Sequence, residues 1–217
     1  MNELMDNHRK TWDKEHLSES GYGGYSKFNE RRLHWVLNLL PSGFLNKQTT
    51  ILEIGCGSGN WIKAVAPMVK MIHGVDISLP ALQIAEKQLA DVKNISLTQC
   101  DGATLKTFGD KTIDLVYSFW TFQHIPRAVT ESYLKEAYRV LKDDGLLLFQ
   151  VESYDNHKLN EGDISFLKGK TEQVGYTRKA LSEITSRNGF IIIKKDQEDF
   201  RKWKRVYLWS VCKKKVK

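Results

Sequence analysis

The chain has 217 residues, 41% hydrophobic and 27% charged, with 15 Gly and 4 Pro, a profile that excludes disordered, collagen-like and fibrous classes. Three widely spaced cysteines, Cys56, Cys100 and Cys212, exclude a disulfide framework and a Cys-x-x-Cys zinc knuckle and fit a reducing compartment. The net charge of +7 is local, because residues 194–217 hold ten basic and three acidic side chains and the rest is balanced. That Lys-rich end reads as a solubilising, frayed terminus rather than a phosphate-binding surface.

No apolar run follows a basic start, and no window approaches the ~20 apolar residues of a membrane span, so a cytoplasmic location is expected. In chain order, "ESGYGGYS" carries glycines and two tyrosines and predicts a mobile segment. "SKFNERRLHWVLNLL" places Leu33, Val36, Leu37 and Leu40 at helical spacing and is expected to pack beside the first strand. From Thr50 onward short β-branched runs alternate with helical periods, the pattern of a parallel sheet wrapped by helices. "TILEIG" is the first strand, followed by a short helix from about Gly59 to Pro67. "MIHGVD" is the second, and its helix opens at the N-cap Ser78 with Pro80 in the first turn and buries Leu82, Ala85 and Leu89. "ISLTQCD" and "TIDLVYSF" are the third and fourth strands.

The next helix, about Arg127 to Lys142, places Leu134, Ala137, Tyr138 and Leu141 on one face and stops at Gly145. "GLLLFQVE" is an almost continuous apolar strand, as expected where both faces are covered. A polar insert occupies about 153–176. A helix capped by Thr177 and closed at "RNG" then leads to "FIIIKK" and "RVYLWSVC", which lack room for a crossover and must pair antiparallel. The expected fold is α/β: a three-layer α/β/α sandwich around a seven-stranded, mostly parallel sheet with the last strand antiparallel. Residues 1–45 form an N-terminal cap segment and helix on a 46–217 core, one compact domain in all.

The loop "GCGSG" after the first strand sits where open parallel sheets bind ligands. Glycine lets a ligand touch the main chain, and the following helix presents unpaired N–H groups. A dinucleotide site wants Gly-x-Gly-x-x-Gly, but Gly55, Gly57 and Gly59 give Gly-x-Gly-x-Gly, and Asn60 stands where the third glycine belongs. Glu53, inside the strand, would repel a pyrophosphate and suit an ammonium or sulfonium.

"LEIGCGSGNW" resembles the first motif of the class I S-adenosylmethionine-dependent methyltransferases, of the Rossmann-like small-molecule type. The likeness extends over about Thr50 to Val151 through Asp76 in "GVDIS", Asp101 in "CDGATL" and "IDLVYSFWTFQHIP". It implies that S-adenosyl-L-methionine is the cofactor and S-adenosyl-L-homocysteine the product. It also implies that Gly55, Cys56, Gly57 and Gly59 line the methionine part with main chain and that Glu53 sits near its amino end. Asp76, with Ile77 beside it, would take the ribose hydroxyls. Asp101 would accept from the adenine amine beside the Gly102 and Ala103 amides, and Ser118 or Phe119 would offer a carbonyl to the ammonium. Trp61 is expected to pack its helix.

Methyl transfer from a sulfonium needs alignment more than acid catalysis. A base is needed for a hydroxyl or protonated amine, and His124 in "FWTFQHIP" is the candidate. His157, Tyr22 and Tyr25 are weaker ones. Trp12, Tyr22, Tyr25, Trp120, Phe122, Tyr154 and Phe166 could form an aromatic lid over the substrate. The expected reaction methylates an O or N atom of a small-molecule acceptor. No trio of carboxylates suggests a metal, and none is expected. An RNA or tRNA substrate rests on the basic end alone, since the fourth strand ends in "YSFW" without proline. A non-catalytic binding module is the further alternative.

Overall fold

The computed structural model describes residues 2–17, 26–153, 174–200 and 205–215. The chain divides into two compact units, residues 1–104 and 105–217, so residues 1–45 fall inside the first unit. The expected glycine-rich mobile segment, Tyr22, Tyr25, Tyr154, His157, Phe166 and most of the insert lie outside the described residues.

The first unit opens with a helix that sequence reading did not predict, α1 (Asn2–Leu17), followed by α2 (Ser26–Leu39). Then come β1 (Thr50–Ile54), α3 (Asn60–Val65), β2 (Met71–Asp76), α4 (Leu79–Gln88) and β3 (Ile95–Gln99). The three strands are parallel, with β2 between β1 and β3. Ile51, Leu52, Ile54, Ile62, Val65 and Ile72 are fully buried, each contributing about 1.5–3 kcal/mol of transfer free energy. Ser78 caps α4 by accepting from the Ala81 N–H, and Leu82, Ala85 and Leu89 are buried as expected. α2 packs on α3 and buries Val36 and Leu39, with Leu40 buried just past its end, whereas Leu37, expected on the inner face, is 43% exposed. The buried stripe runs through Val36, Leu39 and Leu40, at i, i+3 and i+4.

The second unit holds β4 (Ile113–Ser118), a 3₁₀ turn (Phe122–His124) and α5 (Arg127–Val140), then β5 (Leu141–Ser153) and β6 (Gly175–Tyr176). It closes with α6 (Arg178–Arg187), β7 (Phe190–Phe200) and β8 (Arg205–Lys214). β8 is antiparallel to both neighbours, β5 and β7, while β4 and β6 are parallel to β5. The short β6 is an eighth strand within the expected insert. α5 ends before Lys142, because Leu141 adopts φ −66 and ψ 140 and pairs with Ile113 as the first residue of β5. Leu141 is therefore buried as a strand residue.

From Arg205 to Lys215 the Lys-rich end is not frayed. Lys213 and Lys214 pair with β5 and β7, and Lys215 Nζ donates to the Ser186 carbonyl at 2.6 Å. Lys214 is buried, donates to the Leu141 carbonyl and lies 4.8 Å from the Tyr138 ring centroid. Lys214→Ala is expected to lower the unfolding free energy by about 1.5–3 kcal/mol, read as an earlier denaturation midpoint at unchanged slope. Lys213→Ala, on the exposed face, should change it by less than about 0.5 kcal/mol.

Candidate functional site

β1 carries one acid, Glu53, which is 1% exposed. Arg32 of α2 reaches Glu53 Oε1, and its guanidinium also lies 5.5 Å from the centroid of the buried Trp61 ring. Burial nevertheless outweighs the attraction of Arg32, and with a small push from Asp76 it raises the Glu53 carboxyl to about 7. Glu53 Oε2 has no hydrogen-bond partner among the described residues. A buried acceptor left unmet costs about 1–3 kcal/mol, and a ligand ammonium would supply the missing donor. The acid expected near the cofactor's amino end thus carries an unmet oxygen, but it does not act alone, since Arg32 already offsets its charge.

The glycine loop follows directly. The Gly55 and Cys56 N–H groups donate to the Val75 carbonyl at 2.8 and 3.1 Å, which ties the loop to the end of β2. Gly57 has φ +54, and among the described residues a Cβ placed there would have only His16 Nε2 within 4 Å, at 3.8 Å. Space therefore opens above its main chain. Gly59 differs, because a Cβ on it would meet Leu89 Cδ1 at 2.6 Å. Its bareness admits the packing of Ala85 and Leu89. Burial pushes the Cys56 thiol well above its ordinary range, so it remains protonated and is no nucleophile.

Asp76, at the tip of β2, accepts from the Gly57 N–H at 2.8 Å through Oδ2 and from the Ser78 N–H at 2.9 Å through Oδ1. Burial raises its carboxyl, opposed by those N–H groups and by the positive charge His16 can carry. Beyond β3, Asp101 holds its own turn: Oδ1 accepts from the Ala103 and Thr104 N–H groups at 3.0 and 2.7 Å, and Oδ2 from the Thr104 hydroxyl at 2.7 Å. It remains exposed. A Cβ on Gly102 would meet Met5 Cε at 2.5 Å and Ile77 Cδ1 at 2.6 Å, so those side chains rest on its backbone. The first unit thus gathers Glu53, Gly55, Cys56, Gly57, Asp76, Ile77, Asp101, Gly102 and Ala103 at and just beyond three strand tips.

In the second unit Ser118 ends β4 fully buried. Phe119 stacks on Trp120 and on Trp209, with centroids 5.1 and 5.4 Å apart. Trp120 has φ +53, a conformation costing about 1–3 kcal/mol in a bulky residue, and such strain concentrates at functional sites. His124 is buried at the end of the 3₁₀ turn, its N–H donating to the Thr121 carbonyl at 2.9 Å and its Nε2 3.4 Å from the Gln123 amide. Trp12 lies half-buried on α1, its ring centroid 6.0 Å from that of His16. Sequence reading missed Arg32 and the α1 contacts. The signal for the latter was present in Met5, His8, Trp12 and His16, which recur along one helical face. Among the described residues no group of three His, Cys, Asp or Glu side chains could hold a metal ion.

A family model described as a methyltransferase domain matches residues 52–149. An uncharacterized methyltransferase of Oceanobacillus iheyensis is 25% identical over 179 residues, 79% of each chain. A malonyl-[acyl-carrier protein] O-methyltransferase of Priestia megaterium is 30% identical over 147 residues, 67% of this chain and 48% of that protein. The chain therefore spans about half of that relative's length. The solved DhpI–SAH complex matches with a TM-score of 0.71 at 15% identity over 99% of this chain and 98% of that one, which shows the fold: a mostly parallel sheet with one antiparallel strand, flanked by helices.

The shift at Glu53 gives a test independent of any ligand. A carboxyl near 7 in the folded state and near its ordinary 4.5 when unfolded keeps its proton longer in the native protein, so stability falls as pH rises from about 4.5 to about 7. Denaturation series across that window should show wild type losing on the order of 3 kcal/mol relative to Glu53→Gln.

Proposed function

The chain belongs to the class I S-adenosylmethionine-dependent methyltransferases, and from that premise we propose that it methylates an O or N atom of a small-molecule acceptor. One observation carries the cofactor placement: the unmet Glu53 Oε2 near the end of β1, four residues before Gly57. The residues fit the group. The Glu53 oxygen takes the methionine ammonium, Asp76 takes the ribose diol, and Ile77 with the Gly102 backbone walls the adenine, whose amine Asp101 accepts. S-adenosylmethionine supplies an activated methyl group on sulfur, and the departing thioether is neutral.

The chain's own part is to orient and to exclude water. Bare backbone at Gly57 permits contact at main-chain distance, and the already bonded Asp76 is fixed in orientation before the ligand arrives. In the second unit the stacked Phe119 and Trp120 offer an apolar surface suited to an acceptor. His124 serves as the base, holding the proton that an acceptor hydroxyl or ammonium gives up. A small-molecule acceptor is supported by the Priestia megaterium relative, which acts on a malonyl group carried by acyl-carrier protein.

Calorimetric titration with S-adenosylhomocysteine tests the cradle. Wild type should bind, and Asp76→Ala and Gly57→Ala should each bind at least about tenfold more weakly with an unchanged far-ultraviolet spectrum. No binding to wild type at millimolar ligand refutes the assignment. Transfer of labelled methyl to an acceptor found in cell extract tests the chemistry. His124→Ala should lower kcat about 10²-fold or more while sparing cofactor affinity, and a kcat near wild type removes its role.

A further inference from the structure

A cavity of about 200 Å³ opens within the second unit, between the first turn of α6 and the β7–β8 pair. α6 packs on β7, and strand alternation decides which side chains face the space between them. Arg178, at the start of α6, donates to Gln197 Oε1, so the Gln197 side chain is on the α6 side of the sheet. Residues opposed across an antiparallel pair share a face, and the pairings of Gln197 with Leu208 and of Lys195 with Ser210 put Leu208, Lys195 and Ser210 there too. Asp196 and Trp209 also line the cavity but are out of step by one residue. They give it main chain, while their side chains turn to the opposite face, where the Trp209 ring meets Phe119.

The cavity therefore has a definite chemistry. Lys195 and Arg178 bring two positive charges, and no carboxylate side chain among its described lining residues faces it. The Lys195 charge is felt on this face: burial raises the Cys212 thiol to about 12, and Lys195 opposes the rise. Ser210 is 1% exposed, and its hydroxyl finds no hydrogen-bond partner among the described residues. A buried hydroxyl left unmet costs about 1–3 kcal/mol, and an anion would accept the hydrogen bond it has to give. Leu181 and Leu208, both buried, supply an apolar side. The volume is below the roughly 300–1,000 Å³ of pockets that take drug-sized ligands, so the occupant is small.

We propose that this cavity is a binding site for a small oxyanion, a phosphate or carboxylate group, which accepts from the Ser210 hydroxyl and is neutralised by Lys195, with the exposed Arg178 guanidinium adding a second cation. The site is built from residues 178–210 and needs neither the cofactor nor the acceptor to form. It gives the buried Ser210 hydroxyl a partner and gives two basic side chains on one groove a shared counter-ion.

The test is a titration of the full chain followed by amide chemical shifts, with inorganic phosphate or butyrate exchanged for chloride at constant ionic strength. In wild type at least one of the two anions should give saturable shifts at Lys195 and Ser210. Ser210→Ala and Lys195→Gln should each weaken binding at least about fivefold, and Lys213→Gln, which removes one charge from the opposite face, should leave it unchanged. Saturation by phosphate alone assigns a phosphate ligand, saturation by butyrate alone assigns a carboxylate whose hydrocarbon rests on Leu181 and Leu208, and saturation by both shows that the oxyanion itself is read. Ser210→Ala also separates a ligand role from a structural one. In chloride, losing an unmet hydroxyl should leave the denaturation midpoint unchanged or higher, and a lower midpoint would show the hydroxyl already bonded within the protein and overturn the site. Shifts that rise linearly with both anions, or an affinity unchanged in Ser210→Ala, mean an adventitious ion only and overturn it as well.

Discussion

The ion pair between Arg32 and Glu53 at the end of β1 is the constraint on which the site depends. A carboxylate buried to 1% exposure is tolerable only if its charge is offset, and Arg32 does this for one oxygen only. Because burial still outweighs the pair and raises the group to about 7, the cation present falls short of what the acid needs. The second oxygen is the place where a positively charged donor gains most. A well-packed fold would fill that gap with a threonine or a neutral amide if stability were the sole requirement, so retaining it marks the position as one built for a ligand.

The rest of the first unit follows from the same logic of leaving acceptors and backbone ready. Asp76 is oriented by two N–H groups before anything binds, and one of them belongs to Gly57, so the glycine loop and the acid at the tip of β2 are one rigid piece. Asp101 is held by its own turn in a similar way. Three acids in three local settings thus have three charge environments: buried and partly offset, buried and held by N–H groups, and exposed. The order matches the ammonium, diol and amine that a nucleoside carrying an amino acid presents in sequence along its length.

Much of this was legible from residues alone. Strand runs such as Met71–Asp76 and the glycine spacing after Glu53 are local patterns, and local patterns survive translation into structure. What failed to be legible depends on tertiary placement. Arg32 meets Glu53 across 21 residues of chain, and nothing in "NERRLHW" says which basic side chain turns inward. α1 is so polar overall that its four-residue inner stripe does not stand out in the sequence. Leu141 fitted a helical repeat but was claimed by pairing with Ile113, and Lys214 looked like part of a solvated tail while its stem and charge were committed to Tyr138 and the Leu141 carbonyl. Gly59 satisfied the motif for a reason the motif does not state, the approach of α4.

The most direct test of the central claim is the proton balance of S-adenosylhomocysteine binding, obtained by calorimetry at pH 6 in two buffers of different ionisation enthalpy. With Glu53 near 7, an incoming ammonium should expel close to one proton at pH 6, almost none at pH 8.5, and none from Glu53→Gln at either pH. Binding with the same proton count in wild type and Glu53→Gln would mean that the ligand never meets that oxygen, and the account of the site would be wrong.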